Sequence, residues 1–252
     1  MADARDREGL ALFFVPDETL AEGASVTLGE GLMHHVRVLR LGVGTTVALL
    51  NGRGQRAHGT FVRLSRSAGT VEVDSSAEFP PPPPVHLLVP IADRDRMLWL
   101  AEKCAELGAT SWRPVLYKRS RYVKPRGEGP TFNGKLRARM GSALEQSGGA
   151  WLPAMYPDAT LSRAIGALPA AGVRLVLDPA GDPILESAFE APVIIAIGPE
   201  GGIDNEERDE LIAAGFIPVS MGGNILRFET AAVAGLAIAR SALHQREPAH
   251  GH

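Results

Sequence analysis

The order of apolar and polar positions divides the chain into two stretches with different periodicities. Before residue 79, short apolar or β-branched runs are separated by glycine-containing turns, a pattern typical of β-strands. These runs are Leu12–Val15, Ser25–Leu28, Thr46–Leu50, His58–Leu64 and Thr70–Val73. The segment Gly31–Arg40 instead repeats apolar residues at helical spacing. The pattern predicts a small β-barrel domain with one helix over residues 1–79.

After residue 84, strand-like and helix-like segments alternate. The predicted strands are Val85–Pro90, Trp112–Tyr117, Val173–Leu177, Val193–Ile197 and Ile217–Ser220. The predicted helices are Asp93–Leu107, Phe132–Gln146, Asp204–Ala214 and Glu229–Leu243. Two of the strands are continuous apolar runs, which is typical of strands that are buried on both faces. The alternation predicts an α/β domain over residues 85–252, with helices on both faces of a parallel sheet.

Five consecutive prolines, Pro80–Pro84, separate the two stretches. Such a run cannot form a helix or a central strand, because proline lacks a backbone N–H. We interpret residues 80–84 as a semi-rigid polyproline II linker between two folded domains. The alternative is a proline-rich surface loop inside a single domain.

The composition excludes several classes of protein. The chain has 252 residues, of which 45% are hydrophobic and 22% are charged, as in ordinary globular proteins. No segment approaches the roughly 20 apolar residues of a membrane-spanning helix, and the N-terminus lacks the apolar core of a signal peptide. The single cysteine, Cys104, excludes an internal disulfide and a cysteine-cluster metal site. We expect a cytoplasmic protein that binds neither membrane nor metal.

The charge distribution indicates a polyanionic partner, although the net charge is −3. Residues 31–70 contain six arginines and no acid, and residues 111–140 contain nine lysines and arginines and one acid. Most of these cations are arginines, whose planar guanidinium suits phosphate groups and base edges. Solvated surface charge is the ordinary alternative, but two windows depleted of acids favour a nucleic-acid-binding face.

Three predicted strands are followed by glycine-containing turns. Val173–Leu177 runs into DPAG, Val193–Ile197 into GPEGG, and Ile217–Ser220 into MGGNILR. Parallel sheets bind ligands at the carboxyl ends of their strands, and glycine lets the backbone approach a ligand closely. For GPEGG taken alone, a tight strand-to-helix turn is the alternative.

The chemistry of these turns favours a neutral or cationic ligand. Neither of the common glycine-rich phosphate-binding motifs is present, and the acids Glu200, Asp204, Glu206 and Glu207 would repel phosphate. An adenosine that carries a sulfonium and an amino acid would fit such a pocket. A dinucleotide-dependent oxidoreductase is excluded, because Val89–Ala92 offers no glycine after the first strand of the α/β unit.

Four segments together resemble the RsmE family of SPOUT-superfamily methyltransferases. They are IGPEGGIDNEE, SMGGNILRFETA, DRMLWLAEKCAELGATSWRPVLYKRS and EQSGG. The resemblance covers nearly the whole chain and implies methylation of N3 of a uridine in 16S ribosomal RNA with S-adenosylmethionine. It also implies a homodimer, a trefoil knot in the C-terminal domain, and a PUA-like RNA-binding barrel around FFVP and HHVRVLRLGVG.

The resemblance implies which residues hold the cofactor. Its adenine would contact the backbone of the three turns, and Thr230 would help to shape the pocket. The implied cofactor-binding residues are Leu177, Gly198, Pro199, Gly201, Gly202, Ser220, Met221, Gly222, Asn224, Ile225, Leu226 and Thr230.

Methylation of N3 requires removal of the imide proton or stabilisation of the developing anion. We expect Glu200 to act on the uridine edge as base or hydrogen-bond acceptor, the alternative being that it caps the helix near Asp204. Arg227 is the expected stabiliser of negative charge on the base. Because the base must leave its stack, the protein must also grip the surrounding RNA. The expected RNA-binding residues are His34, Arg37, Arg40, Arg53, Arg56, Arg63, Arg119 and Arg121, with Lys124 as a possible extension.

The sequence departs from the family pattern at Leu12, Gly149 and Asn224, where the family has arginine, and at Phe228, where it has threonine. Fewer cations would weaken the salt-dependent part of RNA affinity more than cofactor binding. A non-catalytic RNA-binding protein that retains the fold is therefore the alternative function.

Overall fold

The computed structural model describes residues 9–120 and 130–244. The chain forms two compact units, of which the first comprises residues up to Pro81 together with Met140–Leu152. The second comprises Pro82–Arg139 and the chain from Pro153 onwards. The change from one unit to the other falls inside the proline run. The inclusion of Met140–Leu152 in the first unit was not expected from the sequence, and the role of residues 80–84 as a linker stays a prediction.

The first unit contains a five-stranded sheet in the order β1-β3-β4-β5-β2. Its strands are β1 (Leu12–Phe14), β2 (Ser25–Leu28), β3 (Thr46–Leu50), β4 (Gln55–Leu64) and β5 (Gly69–Glu78). β1 pairs with β3 in parallel, and the other pairs are antiparallel. Apolar side chains from the strands and from helix α1 (Glu30–Val38) form its core, including Phe13 and Phe61. The predicted strands are present, whereas the helix ends two residues earlier than predicted.

The second unit contains a parallel sheet in the order β12-β10-β11-β6-β7-β8, with β9 paired to β7. Its strands are β6 (Val85–Pro90), β7 (Ser111–Leu116), β8 (Ala154–Met155), β9 (Ala159–Thr160), β10 (Val173–Pro183), β11 (Val193–Ile197) and β12 (Ile217–Ser220). The predicted α/β class with a parallel sheet is confirmed. The short strands β8 and β9 were not predicted, because two residues carry no detectable periodicity.

The helices of the chain after the proline run agree with the predicted ones to within two residues at each end. They are α2 (Arg94–Glu106), α3 (Pro130–Ser147), α5 (Asn205–Ala213) and α6 (Phe228–His244), with an additional short helix α4 (Leu161–Gly166). Asp93 caps α2 by accepting a hydrogen bond from the Arg96 N–H at 3.0 Å, as its position predicts. Within the described ranges no helix is long and apolar enough to cross a membrane.

Strand β10 is longer than predicted and is interrupted. It pairs with β12 through Leu177 and Val219, and pairing resumes with Asp182 opposite the same Val219. The intervening residues, 178–181, therefore leave the ladder and form a bulge rather than a turn at the end of the strand. This bulge brings Asp178 and Pro179 to the edge of the cavity described below.

Candidate functional site

The segments that follow Leu177 of β10, Ile197 of β11 and Ser220 of β12 open onto one cavity. Leu177 pairs with Ile197 on one side and with Val219 on the other, so the three segments leave the sheet side by side. The cavity has a volume of about 410 Å³, within the range of small-molecule pockets. The structure therefore brings together the three glycine-containing segments, as the sequence predicts.

Most of the expected cofactor-binding residues line this cavity. They are Leu177, Gly198, Pro199, Gly201, Gly202, Ser220, Met221, Gly222, Asn224, Ile225 and Leu226, together with Glu200. Thr230 and Arg227 lie outside the lining in the described part of the chain, and both are exposed. Their expected roles, like those of the lining residues, stay predictions.

Two glycines of the lining have backbone conformations that other residues rarely adopt. Gly202 has φ +75° and Gly222 has φ +121°. Gly198 is required for a different reason, since a Cβ built there would lie 2.6 Å from Cγ1 of Ile203. The turns therefore keep their shape only with glycine at these positions, and the cavity wall there consists of backbone.

The lining also includes Asp178 and Pro179 of the predicted DPAG segment, and residues that the sequence analysis did not select. The latter are Val176, Ile197, Ile203, Arg208, Val219, Phe228 and Ala231. The apolar strand residues could have been selected because they directly precede the turns. Arg208 could not, because it belongs to α5 and reaches the site through an ion pair with Asp178 at 2.6 Å. The wall thus contains charges of both signs.

Glu200 does not cap helix α5. The cap is Asp204, whose side chain accepts from the Glu206 N–H at 3.1 Å, while the Glu207 side chain accepts from the Asp204 N–H at 3.2 Å in a capping box. Glu200 is directed to α2 instead, where its Oε1 lies 2.6 Å from Nη2 of Arg96. The capping alternative for Glu200 is therefore wrong.

Arg96 is the centre of a charged cluster beside the cavity that the sequence analysis did not select. Its Nε lies 3.2 Å from Oε1 of Glu229, and its guanidinium lies 5.2 Å from the ring centroid of Phe228. Burial lowers the pKa of Arg96, but the hydrogen bond that Arg96 donates to Glu200 and the charges of Glu229, Glu200 and Asp93 leave this pKa above its ordinary value. Arg96 is therefore a fixed cation that holds two carboxylates.

Arg119, one of the expected RNA-binding residues, is exposed and lies near α5. Its Nη2 is 3.5 Å from Oδ2 of Asp204, a surface ion pair of small energetic weight. The neighbouring Lys118 is also exposed, and its Nζ pairs with Glu206. Arg121 and Lys124 lie outside the described residues.

The expected RNA-binding residues of the first unit differ in their contacts. His34, Arg37, Arg40, Arg53 and Arg63 are exposed, and Arg40 has a left-handed backbone with φ 54° just after α1. Arg37 donates to the backbone carbonyl of Arg66 at 2.8 Å, and Arg53 donates to those of Pro16 at 2.6 Å and Glu18 at 2.9 Å.

Arg56 is half-buried, with its guanidinium 5.0 Å from the ring centroid of Phe79. Arg37, Arg53 and Arg56 therefore have structural contacts that the sequence did not indicate. Five of these six expected residues, all but Arg56, are exposed to solvent.

No group of histidine, cysteine or acidic side chains suited to a metal ion occurs among the residues that the structure describes. Cys104 is fully buried in α2, and burial raises the pKa of its thiol well above the ordinary range. This placement agrees with the interpretation of Cys104 as a core residue.

Comparison with known proteins gives consistent results. Residues 80–240 match the family model of the RNA methyltransferase domain. The chain is 31% identical over 233 residues to "Ribosomal RNA small subunit methyltransferase E" of Synechocystis sp., with 85% of this chain and 72% of the relative covered. It is 28% identical to the protein of the same name from Mycobacterium bovis, with 89% of each chain covered.

Solved structures agree with these relatives. A crystal structure of ribosomal RNA small subunit methyltransferase E from Neisseria gonorrhoeae bound to S-adenosyl methionine has a TM-score of 0.81 at 26% identity, covering 91% of this chain and 96% of that one. A structure of a "putative methyltransferase" from Legionella pneumophila in complex with the cofactor SAM has a TM-score of 0.79 at 26% identity. The match covers 92% of this chain and 97% of that one.

Proposed function

The chain belongs to the RNA methyltransferase domain family, and from that premise we propose that it methylates N3 of a uridine in 16S ribosomal RNA with S-adenosylmethionine. Relatives that match most of the chain are small-subunit ribosomal RNA methyltransferases, and similar structures contain this cofactor. The uridine N3 position is the finer part of the proposal and comes from the resemblance of the sequence motifs to the RsmE family.

The observation that carries the proposal is the cavity of about 410 Å³ at the ends of β10, β11 and β12. Its wall offers backbone groups at Gly202 and Gly222, which suit the polar edge of an adenine ring. The pair of Asp178 and Arg208 at 2.6 Å supplies both charges that a zwitterionic amino-acid group requires. The residues present therefore fit the methyl donor.

When bound, S-adenosylmethionine supplies a methyl group on a positively charged sulfur. The residues of the cavity wall, Glu200 among them, would hold this donor. Glu200 would accept the N3 proton of the uridine and so leave a lone pair on N3 for the methyl group that the donor would supply. Orientation at the rim supplies a further large part of the rate enhancement.

The exposed cations of the first unit are proposed to hold the RNA around the target base. His34, Arg37, Arg40 and Arg63 are exposed, in a segment that contains no acid between residues 31 and 70. Contacts of this kind bind phosphates without reading sequence, and they stabilise a base that has left its stack. Arg119 and Arg227 are exposed cations of the second unit and are proposed to act on RNA and on the base respectively.

Three architectural features belong to the same proposal. The five-stranded sheet with α1 supports a PUA-like barrel. The pairing of β10 with β12 beside the cavity is compatible with a trefoil knot. By the resemblance, two copies of the chain would form a homodimer, and the enzyme would act in the cytoplasm on 16S ribosomal RNA or the small ribosomal subunit.

Methylation of purified small ribosomal subunits tests the proposal. Subunits and free 16S RNA are incubated with the protein and S-adenosylmethionine labelled in the methyl group, and the modified base is mapped. We expect one labelled nucleotide, a uridine methylated at N3. A protein that binds RNA but shows no affinity for the donor in calorimetry would instead be a non-catalytic RNA-binding protein.

A further inference from the structure

Arg96 joins three segments of the second unit at the rim of the cavity. Its backbone N–H donates to the side chain of Asp93, the N-cap of α2, and its guanidinium lies 3.8 Å from the same carboxylate. The guanidinium contacts Glu200 of the turn after β11 at 2.6 Å and Glu229 of α6 at 3.2 Å. The contacts with the two glutamates use different nitrogens, Nη2 and Nε, so both can form at once.

The position of this cluster relates it to methyl transfer. Glu200 and Phe228 line the cavity, and Arg96 contacts both of them although it is not part of the wall. The side chain of Arg96 is 20% exposed and that of Glu229 is 13% exposed, so solvent screens this pair less than a surface pair. The Glu200 side chain is 44% exposed, so nearly half of its surface is accessible.

We propose that Arg96 is a positioning residue for methyl transfer, which holds the Glu200 carboxylate at the cavity rim and anchors it to α6 through Glu229. This inference rests on the proposed function of Glu200. A planar guanidinium can bridge two carboxylates at fixed angles, whereas a lysine ammonium is a point charge on a flexible stem. Arginine therefore fits this geometry better than lysine does.

Removal of Arg96 has two separable consequences. The Glu200 side chain loses its orientation, which lowers kcat without removing any contact to the methyl donor. The Glu200 carboxylate also loses the positive charge of Arg96, while Asp93 and Glu229, the other carboxylates paired with Arg96, keep their negative charges. Glu200 is then protonated at a higher pH than in wild type, so the acid limb of the pH–rate profile shifts to higher pH.

The experiment compares Arg96→Ala, Arg96→Lys, Glu200→Gln and the double variant Arg96→Ala/Glu200→Gln in methylation of small ribosomal subunits. We expect Arg96→Ala to lower kcat by about tenfold to 100-fold, with the Kd for S-adenosylmethionine within about threefold of wild type. Arg96→Lys should lose less activity and show a smaller shift of the acid limb. The double variant should be no slower than Glu200→Gln, because Arg96 acts through Glu200.

Lys103→Ala is the matched control. Lys103 lies on the same helix and also pairs with two carboxylates, Glu102 at 2.8 Å and Glu106 at 2.6 Å, but it does not line the cavity. Its variant should keep the wild-type kcat and pH profile. If Arg96→Ala fails to fold, the test uses Arg96→Lys and the double variant Arg96→Lys/Glu200→Gln, which is compared with Glu200→Gln in the same way.

The outcomes separate failure of the inference from failure of the proposed function. Full additivity of the Arg96 and Glu200 effects, or a wild-type pH profile in both Arg96 variants, would overturn the positioning role. Impaired Glu200→Gln with fully active Arg96 variants would overturn it as well and leave the proposed role of Glu200 intact. Wild-type activity of Glu200→Gln would overturn both, and a wild-type protein without activity would overturn the proposed function itself.

Discussion

The Oε1 atom of Glu145 accepts a hydrogen bond from the backbone N–H of Phe14 at 2.7 Å, although 131 positions separate the two residues. Glu145 is 7% exposed, and it lies in the part of α3 that belongs to the first unit. Burial raises the pKa of Glu145 to about 7, against a smaller lowering by the hydrogen bond from Phe14.

This raised pKa predicts that stability falls as the pH rises. Between the ordinary glutamate pKa and about 7, the folded state binds more protons at Glu145 than the unfolded state does. The favourable contribution is thus fully present below that window and is lost as the pH rises through it. Glu145→Gln keeps an acceptor for the Phe14 N–H but has no ionisable group. We expect its free energy of unfolding to exceed that of wild type by about 1–3 kcal/mol at pH 8 and to equal it near pH 4.

Urea unfolding of the full chain at several pH values measures this difference. Glu72→Gln, at an exposed carboxylate of β5, is the control and should leave the pH dependence unchanged. The prediction would be contradicted if the free energies of unfolding of Glu145→Gln and wild type differed by the same amount at every pH.

Gly141 of α3 is predicted to tolerate no side chain. A Cβ built there would lie 2.5 Å from Cδ1 of Phe14, so that Gly141→Ala forces the two elements apart. Overpacking of this kind costs about 1–3 kcal/mol, more than the roughly 1 kcal/mol that alanine gains over glycine in a helix. The measurement is the free energy of unfolding of the variant.

Gly134 of the same helix is the matched control. A Cβ built at Gly134 meets no atom within 4 Å, and the residue is exposed. Gly134→Ala should therefore stabilise the protein slightly. If both alanine variants are stabilised, the close packing of Gly141 against Phe14 is wrong.

Gly222 and Gly223 are predicted to differ in their effect on binding of the methyl donor. Gly222 lines the cavity with φ +121°, a backbone conformation that alanine adopts only under strain. We expect Gly222→Ala to weaken binding of S-adenosylmethionine about tenfold or more, measured by calorimetry, through a displaced turn.

Gly223 is the neighbouring control position. It is exposed and its φ is not left-handed, and a Cβ built there would meet no atom within 4 Å. Gly223→Ala should therefore bind the donor as wild type does. Equal losses of donor affinity in the two variants would indicate that binding of S-adenosylmethionine does not depend on the backbone conformation at Gly222.

Reversal of two exposed arginines is predicted to separate RNA binding from donor binding. The double variant Arg37→Glu/Arg40→Glu should lose RNA affinity and have a shallower salt dependence, because fewer phosphates are neutralised. Its Kd for S-adenosylmethionine should be unchanged. Filter binding of RNA at several salt concentrations and calorimetry with the donor provide the two measurements.

Arg163→Glu, at an exposed arginine of α4, controls for the change in net charge. It should retain most of the RNA affinity of wild type. A matching fall in donor affinity in the double variant would contradict the assignment of RNA binding to the first unit.

Local sequence patterns were enough to predict most of the regular elements. The apolar runs Val85–Pro90 and Val193–Ile197 predict strands, and β6 and β11 occur with these bounds. Asp93 precedes an amphipathic segment and caps it as expected. These features depend on neighbours within a few residues along the chain, so the sequence contains the information directly.

The same holds for the position of the candidate cavity. Three glycine-containing segments follow strands of one parallel sheet, and the carboxyl ends of such strands meet at one edge. The sequence therefore predicted which three segments meet at the cavity, although the first of them is a bulge within β10 rather than a turn at its end.

Contacts between distant segments were decided by the tertiary structure alone. Arg96 meets Glu200 and Glu229 across more than 100 positions, and Arg53 is held by the carbonyls of Pro16 and Glu18. The bulge after Leu177 and the packing of Gly141 against Phe14 also depend on partners far along the chain. Periodicity and turn chemistry report only local preferences, whereas the partner of a long charged side chain depends on how the elements pack.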